Sequence, residues 1–522
     1  MPKTKKHYYS IIYYIIFSLL MITVLHKKVA FHIDEYLSYG LANAINQGAI
    51  AIDWGISYDS NAIDRLFSNY LSADSNARFN FSNVWNNQAM DVHPPLFYAV
   101  LHTISSFFPE TFSPWYAGAI NIIFALLTLY ILRKLSNDLF QASFFTNILS
   151  ITFILSAEIL SATSFFRMYI VALFFVTLLT YIFVTMIDNN SNWKNYFFLF
   201  ITSVLCALTH YYCVVYLVFI CLVYGVWLLT QKTWKPLFTF IGTMALAGAT
   251  AIAIFPAMLQ HVFSGYRGTN SIDNLTNTSI NDYIERLTTF YEIFNQKLLG
   301  GMLPFIVILL IIIIILSHTT SIFKHSVVIN KPIILKWCLI IIPSLLYFFL
   351  IAKIAVYNSE RYMVPIYATT FLSFIGILFY ITKKVCPLSA QNICLIIICI
   401  VMVINGWQNE NWPHLYLNSQ KDFEKISVYE NTECLVIYDS LHSIQTAYEE
   451  LRMFNNISFI DKYNYYWIAE WECTKENELI LITDNLSKNE LENILSCCPN
   501  LDSYKKIGNY RATTTYYLYS DQ

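Results

Sequence analysis

Two neighbouring carboxylic acids, Asp34 and Glu35, follow the first long apolar run of the chain by a few residues. At this depth a carboxylate faces the headgroup layer or a partly desolvated cleft, where burial and nearby cations set its pKa. Such a group can act as a general base and deprotonate an acceptor hydroxyl or amine. Asp34 is the candidate base and Glu35 its catalytic neighbour. The structural alternative is that both acids only solvate a loop.

A histidine followed by two prolines marks the start of a predicted helix at His93. Proline is tolerated in a first turn, where its missing N–H would have had no partner in the helix. His93 then lies at a helix N-terminus, where backbone N–H groups favour an anion such as phosphate. The structural alternative is a histidine that is merely hydrogen-bonded.

Three arginines stand close to tyrosines, and this pairing suits a phosphate group. A guanidinium presents a planar fork that binds phosphate through two hydrogen bonds, and a phenol adds a further donor. Snorkelling of each arginine to lipid headgroups is the structural alternative. The candidates for binding a lipid phosphate are Arg167, Tyr169, Arg267, Arg361 and Tyr362.

His210, Tyr211 and Tyr212 occupy a short link between two apolar runs, and Arg361 is predicted to begin a helix. His210 with its two tyrosines could form a hydrogen-bonding wall of the same site or belong to an aromatic belt. The sequence contains no His-x-x-x-His or Asp-x-Asp pattern. We therefore predict no metal or other cofactor.

The composition indicates an integral membrane protein. Hydrophobic residues make up 56% of the 522 residues and charged residues 13%, against about 25% charged in an ordinary soluble domain. Aromatics reach 17%, which suits aromatic belts at a lipid–water boundary. The net charge of -2 offers no basic excess to a nucleic acid, so nucleic acid is not a predicted partner.

About eleven segments are apolar and long enough, at ~20 residues each, to cross ~30 Å of hydrocarbon. The first is predicted to be an uncleaved anchor, because no small-residue cleavage site follows it. The predicted spans are residues 8–25, 113–132, 142–160, 168–187, 195–209, 212–230, 236–258, 302–317, 337–353, 362–382 and 388–406.

Two further segments suit interfacial helices. Residues 93–108 are too short to cross and contain His102, and residues 36–50 would place Leu37, Leu41 and Ile45 on one face. If residues 93–108 lie flat on the outer face, the basic loops all become cytoplasmic, as the positive-inside rule requires. These loops contain Arg133, Lys134, Lys194, Lys232, Lys235, Lys336 and Lys383. The N-terminus is then cytoplasmic, and the candidate site residues all fall on the outer face, where we expect them to share one cavity.

The last part of the chain is far more polar. After Asn409 lie 27 of the 66 charged residues, so we predict a membrane domain over 1–409 and an extracytoplasmic α/β domain over 410–522. Within the membrane domain, outer loops are predicted at about 27–112 and 259–301. Strand-like runs occur at 434–438, 457–460 and 478–483, and a Tyr-rich segment follows at 513–519. The role of this domain, acceptor docking or structural support, stays open.

Cysteine usage follows the same division. Seven cysteines lie in or beside apolar runs, where a free cysteine behaves as a small hydrophobe. Only Cys434, Cys473, Cys497 and Cys498 are candidates for disulfides.

The motifs together resemble the bacterial members of glycosyltransferase family 39 and its relatives in the membrane-embedded GT-C superfamily, among them the protein mannosyltransferase and aminoarabinose transferase branches. The resemblance covers most of residues 1–406. It rests on Asp34-Glu35-Tyr36, His93-Pro94-Pro95-Leu96-Phe97-Tyr98, Arg167-Met168-Tyr169, Thr209-His210-Tyr211-Tyr212 and Arg361-Tyr362-Met363-Val364-Pro365. It implies a polytopic α-helical GT-C fold and an inverting transferase that takes a sugar from a polyprenyl-phosphate carrier. It also implies that Asp34 is the catalytic carboxylate and that arginines and tyrosines hold the donor phosphate.

The predicted function is therefore an enzyme in the bacterial cell membrane that transfers a sugar from a polyprenyl-phosphate-linked donor. The acceptor, a glycan, lipid or protein of the cell envelope, stays open, because no acceptor-recognition region of either branch is repeated. The main alternative is a transporter or flippase of a lipid-linked saccharide, which would carry ionisable residues at mid-depth. A membrane-anchored receptor that binds through residues 410–522 is a further alternative.

Overall fold

The computed structural model describes residues 3–45, 50, 52–190, 192–319, 331–385, 388–440, 444–445, 447–484, 486–510 and 513–521. The helices up to the second apolar run are α1 (Lys3–His26), α2 (Ile33–Asn43), α3 (Ser60–Leu71), α4 (Phe81–Met90), α5 (Leu96–Phe107) and α6 (Trp115–Phe140). The following helices are α7 (Ser143–Ile154), α8 (Ala157–Thr163), α9 (Tyr169–Asp188), α10 (Trp193–Ala207), α11 (Tyr211–Thr230) and α12 (Trp234–Ile254).

The second half of the chain contains α13 (Ala257–Phe263), α14 (Tyr266–Asn277), α15 (Ile280–Glu292), α16 (Leu303–Thr319), α17 (Lys331–Ile354), α18 (Tyr367–Val385) and α19 (Leu388–Asn409). The last helices are α20 (Ser419–Ile426), α21 (Tyr448–Leu451) and α22 (Lys488–Ser496). The strands are β1 (Cys434–Tyr438), β2 (Ile457–Asp461), β3 (Glu478–Thr483), β4 (Ser503–Tyr510) and β5 (Thr513–Tyr519).

The protein is a multi-pass membrane protein. Within the described residues, seven helices are long and apolar enough to span a bilayer, and two bent helix pairs raise the number to nine if each pair is one span. In α9 and in residues Val364–Lys383, 72% of the apolar window is buried, against 22% in α12. The first two are therefore central helices, whereas α12 turns most of its surface outward, as lipid-facing helices do.

The predicted span at 142–160 is broken. Helices α7 and α8 meet at a bend of 55°, so this segment is not the single straight helix that we expected. The indole N–H of Trp407 in α19 donates to the carbonyl of Leu155 at the break, over 2.8 Å. A freed backbone carbonyl is tolerated inside a membrane protein where a neighbouring helix supplies a donor in this way.

A second bend, of 93°, separates the helix ending at Leu298 from α16. It occurs at Gly300 and Gly301, whose φ angles are +56° and +76°, a conformation that costs glycine little and other residues much. A Cβ on Gly300 would lie only 2.3 Å from the carbonyl oxygen of Met402. The side chain of Asn405 donates to the Gly300 carbonyl over 3.0 Å, which attaches the bend to α19.

The chain divides into two compact units. The first unit comprises Met1–His26, Gln88–Phe97 and Ala117–Asn411, and the second comprises Lys27–Asn87, Tyr98–Tyr116 and Trp412–Gln522. The boundary at Asn411 falls close to the predicted one, but most of the first outer loop groups with the C-terminal part of the chain and not with the membrane helices.

A mixed five-stranded sheet forms the core of the second unit, in the order β2-β1-β3-β5-β4. Strands β1, β2 and β3 are parallel, and β5 pairs antiparallel with both β3 and β4. All five residues of β1 are buried, as expected for a central parallel strand. Strand β4 was not predicted, since Lys505, Lys506 and Gly508 interrupt its apolar pattern.

The cysteine and interfacial-helix predictions need correction. The four disulfide candidates Cys434, Cys473, Cys497 and Cys498 are free thiols. Helix α2 covers 33–43 and not 36–50, and its buried side chains include those of Tyr36 and Tyr39 and not the predicted leucines. Ile45 lies beyond the helix and is 48% exposed, and residues 46–49 lie outside the described part of the chain. The aromatic rings decide which face is buried because they remove more apolar area from water.

Candidate active site

In the first unit, the ring of His93 contacts the side chains of both Asp91 and Arg167. Its Nδ1 donates to Oδ2 of Asp91 over 2.6 Å, and its Nε2 lies 3.3 Å from Nη2 of Arg167. Arg167 is only 3% exposed and follows the short helix α8. The histidine thus connects two residues that are 76 positions apart in the chain.

The electrostatics of Asp91 agree with this arrangement. Burial raises the pKa of the Asp91 carboxyl, but the charge and hydrogen bond of His93 and the charge of Arg167 outweigh that effect. The net result is a pKa below the ordinary value of an aspartate. Asp91 therefore stays ionised, and its charge stabilises the histidine and the arginine beside it.

His210 lies near the positively charged side chains of the site. It caps the N-terminus of α11, where its Nδ1 accepts the backbone N–H of Tyr212 over 3.1 Å. Burial, together with the positive charges of His93, Arg167 and Arg361, lowers the pKa of His210 to about 3. The imidazole is therefore neutral at physiological pH, and three cationic groups lie within electrostatic reach of it. We call His93, Arg167, His210 and Arg361 the cationic cluster.

Tyrosine rings pack around the cationic cluster. The ring of Tyr169 lies 5.5 Å from His210 and 6.5 Å from Tyr362, and the ring of Tyr212 lies 5.3 Å from Tyr362. The guanidinium of Arg361 lies 5.4 Å from the ring centre of Tyr362. Arg361 does not begin a long helix as predicted. It lies in a 3-10 turn, Glu360–Tyr362, a few residues before α18.

Two of the predicted phosphate-binding residues have other contacts. The hydroxyl of Tyr211 donates to Nδ1 of His261 over 2.7 Å, and Nε2 of His261 reaches the carbonyl of Ala89 at 3.1 Å. Arg267 lies between the rings of Tyr266 and Tyr357, at 5.0 and 4.9 Å. These contacts give Tyr211 a bracing position and Arg267 a position between two aromatic rings.

The two candidate carboxylates belong to the second unit and have different environments. Glu35 is buried, forms an ion pair with Lys28 at 3.0 Å, and accepts the backbone N–H of His32 over 2.6 Å. This is one half of a capping box at the start of α2. The Asp34 side chain is 24% exposed, and its Oδ2 lies 3.7 Å from Nδ1 of His32. Glu35 therefore anchors the helix, whereas the Asp34 side chain keeps partial exposure.

The C-terminal domain packs directly against the helix that carries Asp34, within the second unit. The ring of Tyr448 stacks on Phe67 at 4.5 Å and meets Tyr36 edge-on at 6.0 Å. The hydroxyl of Tyr448 donates to Asp64 over 3.0 Å. The backbone N–H of Phe31 donates to Glu449 over 3.2 Å. Part of the C-terminal domain thus supports α2.

The sequence analysis missed Asp91 as a part of the candidate site, and it chose Tyr211 and not Tyr212 as a phosphate-binding residue. Asp91 lies two residues before His93, a spacing that brings the two side chains together in a tight turn, and this could have been noticed. Tyr212 stands beside the chosen Tyr211, and only the helix direction decides which ring faces the cluster. Among the described residues, no group of three or more His, Cys, Asp or Glu side chains is arranged to hold a metal ion.

Comparison with known proteins gives a structural match without a sequence match. No protein-family model and no curated protein match the chain. The structure of ArnT from Cupriavidus metallidurans bound to undecaprenyl phosphate matches with a TM-score of 0.52 at 8% identity, and its apo form with 0.53 at 9%. Each match covers 98% of this chain and 98% of that chain. The chain therefore has the fold of this ArnT along nearly its whole length, as the resemblance to the GT-C superfamily predicted.

Proposed function

We propose that this chain is an integral membrane glycosyltransferase that takes a sugar from a polyprenyl-phosphate-linked donor at the outer face of the bacterial cell membrane. The observation that carries the proposal is the cationic cluster, in which Arg167 contacts His93 at 3.3 Å and the rings of Tyr169 and Tyr362 connect His210 to Arg361. The buried Arg167 and the half-buried Arg361, with phenols nearby, suit the phosphate group of such a carrier. The ArnT whose fold this chain shares binds undecaprenyl phosphate, which supports the same carrier here.

In the proposed mechanism Asp34 removes a proton from the acceptor hydroxyl or amine. The acceptor atom then attacks the anomeric carbon from the side opposite the phosphate and forms the new bond with inversion. The bond between that carbon and the phosphate oxygen breaks, and its electron pair leaves with the lipid phosphate. Arg167 and Arg361 stabilise the negative charge that develops on this leaving group. Two guanidinium groups supply the charge stabilisation that this step requires.

Binding of the carrier tests the phosphate part of the proposal. The full-length protein in nanodiscs is titrated with undecaprenyl phosphate, and we expect Arg361→Ala and Arg167→Ala to weaken binding by about tenfold or more, the effect of losing one charge-assisted contact. Lys488→Ala is the control, since this lysine is 76% exposed on the second unit. Unchanged binding in both arginine variants would contradict the proposal.

Turnover separates the enzyme from the flippase alternative. A transferase releases undecaprenyl phosphate from an undecaprenyl-phosphate sugar when an acceptor preparation from the cell envelope is present. A flippase moves the same lipid between leaflets and leaves its sugar attached. Movement of an intact donor without release would favour the flippase.

A further inference from the structure

A second buried polar group lies in the first unit, in addition to the cationic cluster. The ammonium group of Lys297 forms an ion pair with Glu360, and its Nζ lies 3.9 Å from Oε1 of Glu410. The side chains of Lys297, Glu360 and Glu410 are 17%, 14% and 0% exposed. Glu158 lies within electrostatic reach of both acids. We call these four residues the carboxylate cluster.

Hydrogen bonds hold the carboxylate cluster in place from several elements. The hydroxyl of Ser161 in α8 donates to Oε1 of Glu410 over 3.1 Å, and that of Tyr367 at the start of α18 donates to Oε1 of Glu158 over 2.6 Å. Lys297 comes from the last turn before the Gly300-Gly301 bend. Because these hydrogen bonds fix the carboxylates of Glu158 and Glu410, the ammonium group of Lys297 that faces them has a defined orientation.

Glu360 connects the two clusters, because it immediately precedes Arg361 in the same 3-10 turn. A carboxylate beside a phosphate-binding guanidinium competes with the phosphate for that guanidinium, by charge and by hydrogen bonding. The ammonium of Lys297 binds this carboxylate instead. The negative charge of Glu360 is thereby compensated by a partner that belongs to a different element.

Resting on the proposed function, we propose that Lys297 is a positioning residue for carrier binding. Its ion pair with Glu360 holds that carboxylate away from the Arg361 guanidinium, so that the guanidinium binds the lipid phosphate. Lys297 acts through Glu360 and need not touch the carrier. Removal of the ammonium charge should therefore weaken binding only while Glu360 keeps its negative charge.

A double-mutant cycle on the full-length protein in nanodiscs tests this dependence, with undecaprenyl phosphate as the probe. Lys297→Met should weaken binding by about tenfold, as expected for a competing charge beside a single guanidinium. Glu360→Gln should bind as tightly as the wild type or more tightly. The double variant Lys297→Met with Glu360→Gln should recover to within about threefold of the wild type, and Lys297→Arg should bind like the wild type. Lys353→Met is the matched control, a lysine near the outer end of α17 that faces the ring of Tyr283.

The outcomes separate this inference from the proposed function. If Arg361→Ala weakens binding and Lys297→Met does not, the positioning role is wrong and the phosphate site stands. If the double variant stays as weak as Lys297→Met, Lys297 either contacts the carrier or only supports the fold, and the inference is again overturned. If Arg361→Ala itself binds like the wild type, the proposed phosphate site fails. Should Lys297→Met not fold, Glu360→Gln and the double variant still decide the question.

Discussion

At the residue scale, Asp34 and Glu35 show how adjacent acids acquire different roles. Glu35 forms an ion pair with Lys28 and caps the start of α2, whereas the Asp34 side chain in the same turn stays partly exposed. A helix N-terminus favours negative charge, so both acids suit this turn. Burial, the ion pair with Lys28 and the helix cap separate the anchoring acid from the acid that we propose as the base.

Substitution of each acid tests this division. Asp34→Asn should abolish transfer while the protein still accumulates and binds the carrier. Glu35→Gln should lower the free energy of unfolding by about 2–4 kcal/mol, because it leaves the buried ammonium of Lys28 without its charge partner. Transfer assays and thermal unfolding of both purified variants distinguish the roles. Near-normal transfer by Asp34→Asn would remove Asp34 from the mechanism.

His210 leads to a prediction about pH. Its pKa is lowered from the ordinary 6.5 to about 3 in the folded protein, so between these values the unfolded chain binds a proton that the folded chain does not. The stability contribution is therefore complete above about pH 6.5 and is lost as the pH falls, by up to about 1.4 kcal/mol per unit. His210→Gln should lose less thermal stability than the wild type between pH 7 and pH 5. An equal loss in both proteins would refute this explanation.

At the element scale, the positions of bends depend on residues far along the chain. Trp407 hydrogen-bonds the break between α7 and α8, and Met402 and Asn405 contact the Gly300 bend. All three belong to α19. The same helix therefore supports both discontinuities, and Glu410 of the carboxylate cluster follows directly after its end.

Substitution of Gly300 by alanine, which adds one methyl group, tests whether the fold requires the bend at this position. Gly300→Ala should lower the free energy of unfolding by about 1–3 kcal/mol, because the position has φ +56° and the new Cβ would meet the Met402 carbonyl. Gly242→Ala in α12 is the matched control, since its Cβ would have no neighbour within 4 Å and alanine favours a helix. Thermal unfolding in the same detergent compares them. Equal stability of the two variants would argue against a required bend.

At the scale of the whole molecule, we predict the orientation in the membrane from the basic loops. Alkaline phosphatase fused after Asp521 should be active, and green fluorescent protein fused at the same position should not fluoresce. This result is expected because we predict the C-terminal domain outside the cytoplasm. The same reporters inserted beside Lys232 should show the opposite pattern. Fluorescence from the C-terminal fusion would reverse the orientation and place the proposed site on the wrong side.

The sequence by itself determined the class of protein and most of the elements. Each predicted span contains a helix, and three strands of the C-terminal sheet were predicted at their correct places, because apolar length and periodicity are local properties. The sequence also pointed to His93, Arg167, His210 and Arg361, since these residues stand in short polar motifs beside apolar runs. Two acids beside each other, however, gave no local signal for which of them is buried.

Only the tertiary structure decided the contacts between distant positions. No periodicity of the sequence relates Arg167 to Asp91 and His93, or Lys297 to Glu360, yet these side chains are in contact. The packing of the helices also decides that the ring of Tyr212, and not that of Tyr211, faces Tyr362. The grouping of the first outer loop with the C-terminal domain depends in the same way on the packing of Tyr448 against Phe67. Side-chain position depends on which helices meet and at what angle, and this is a property of the packed chain and not of any segment of it.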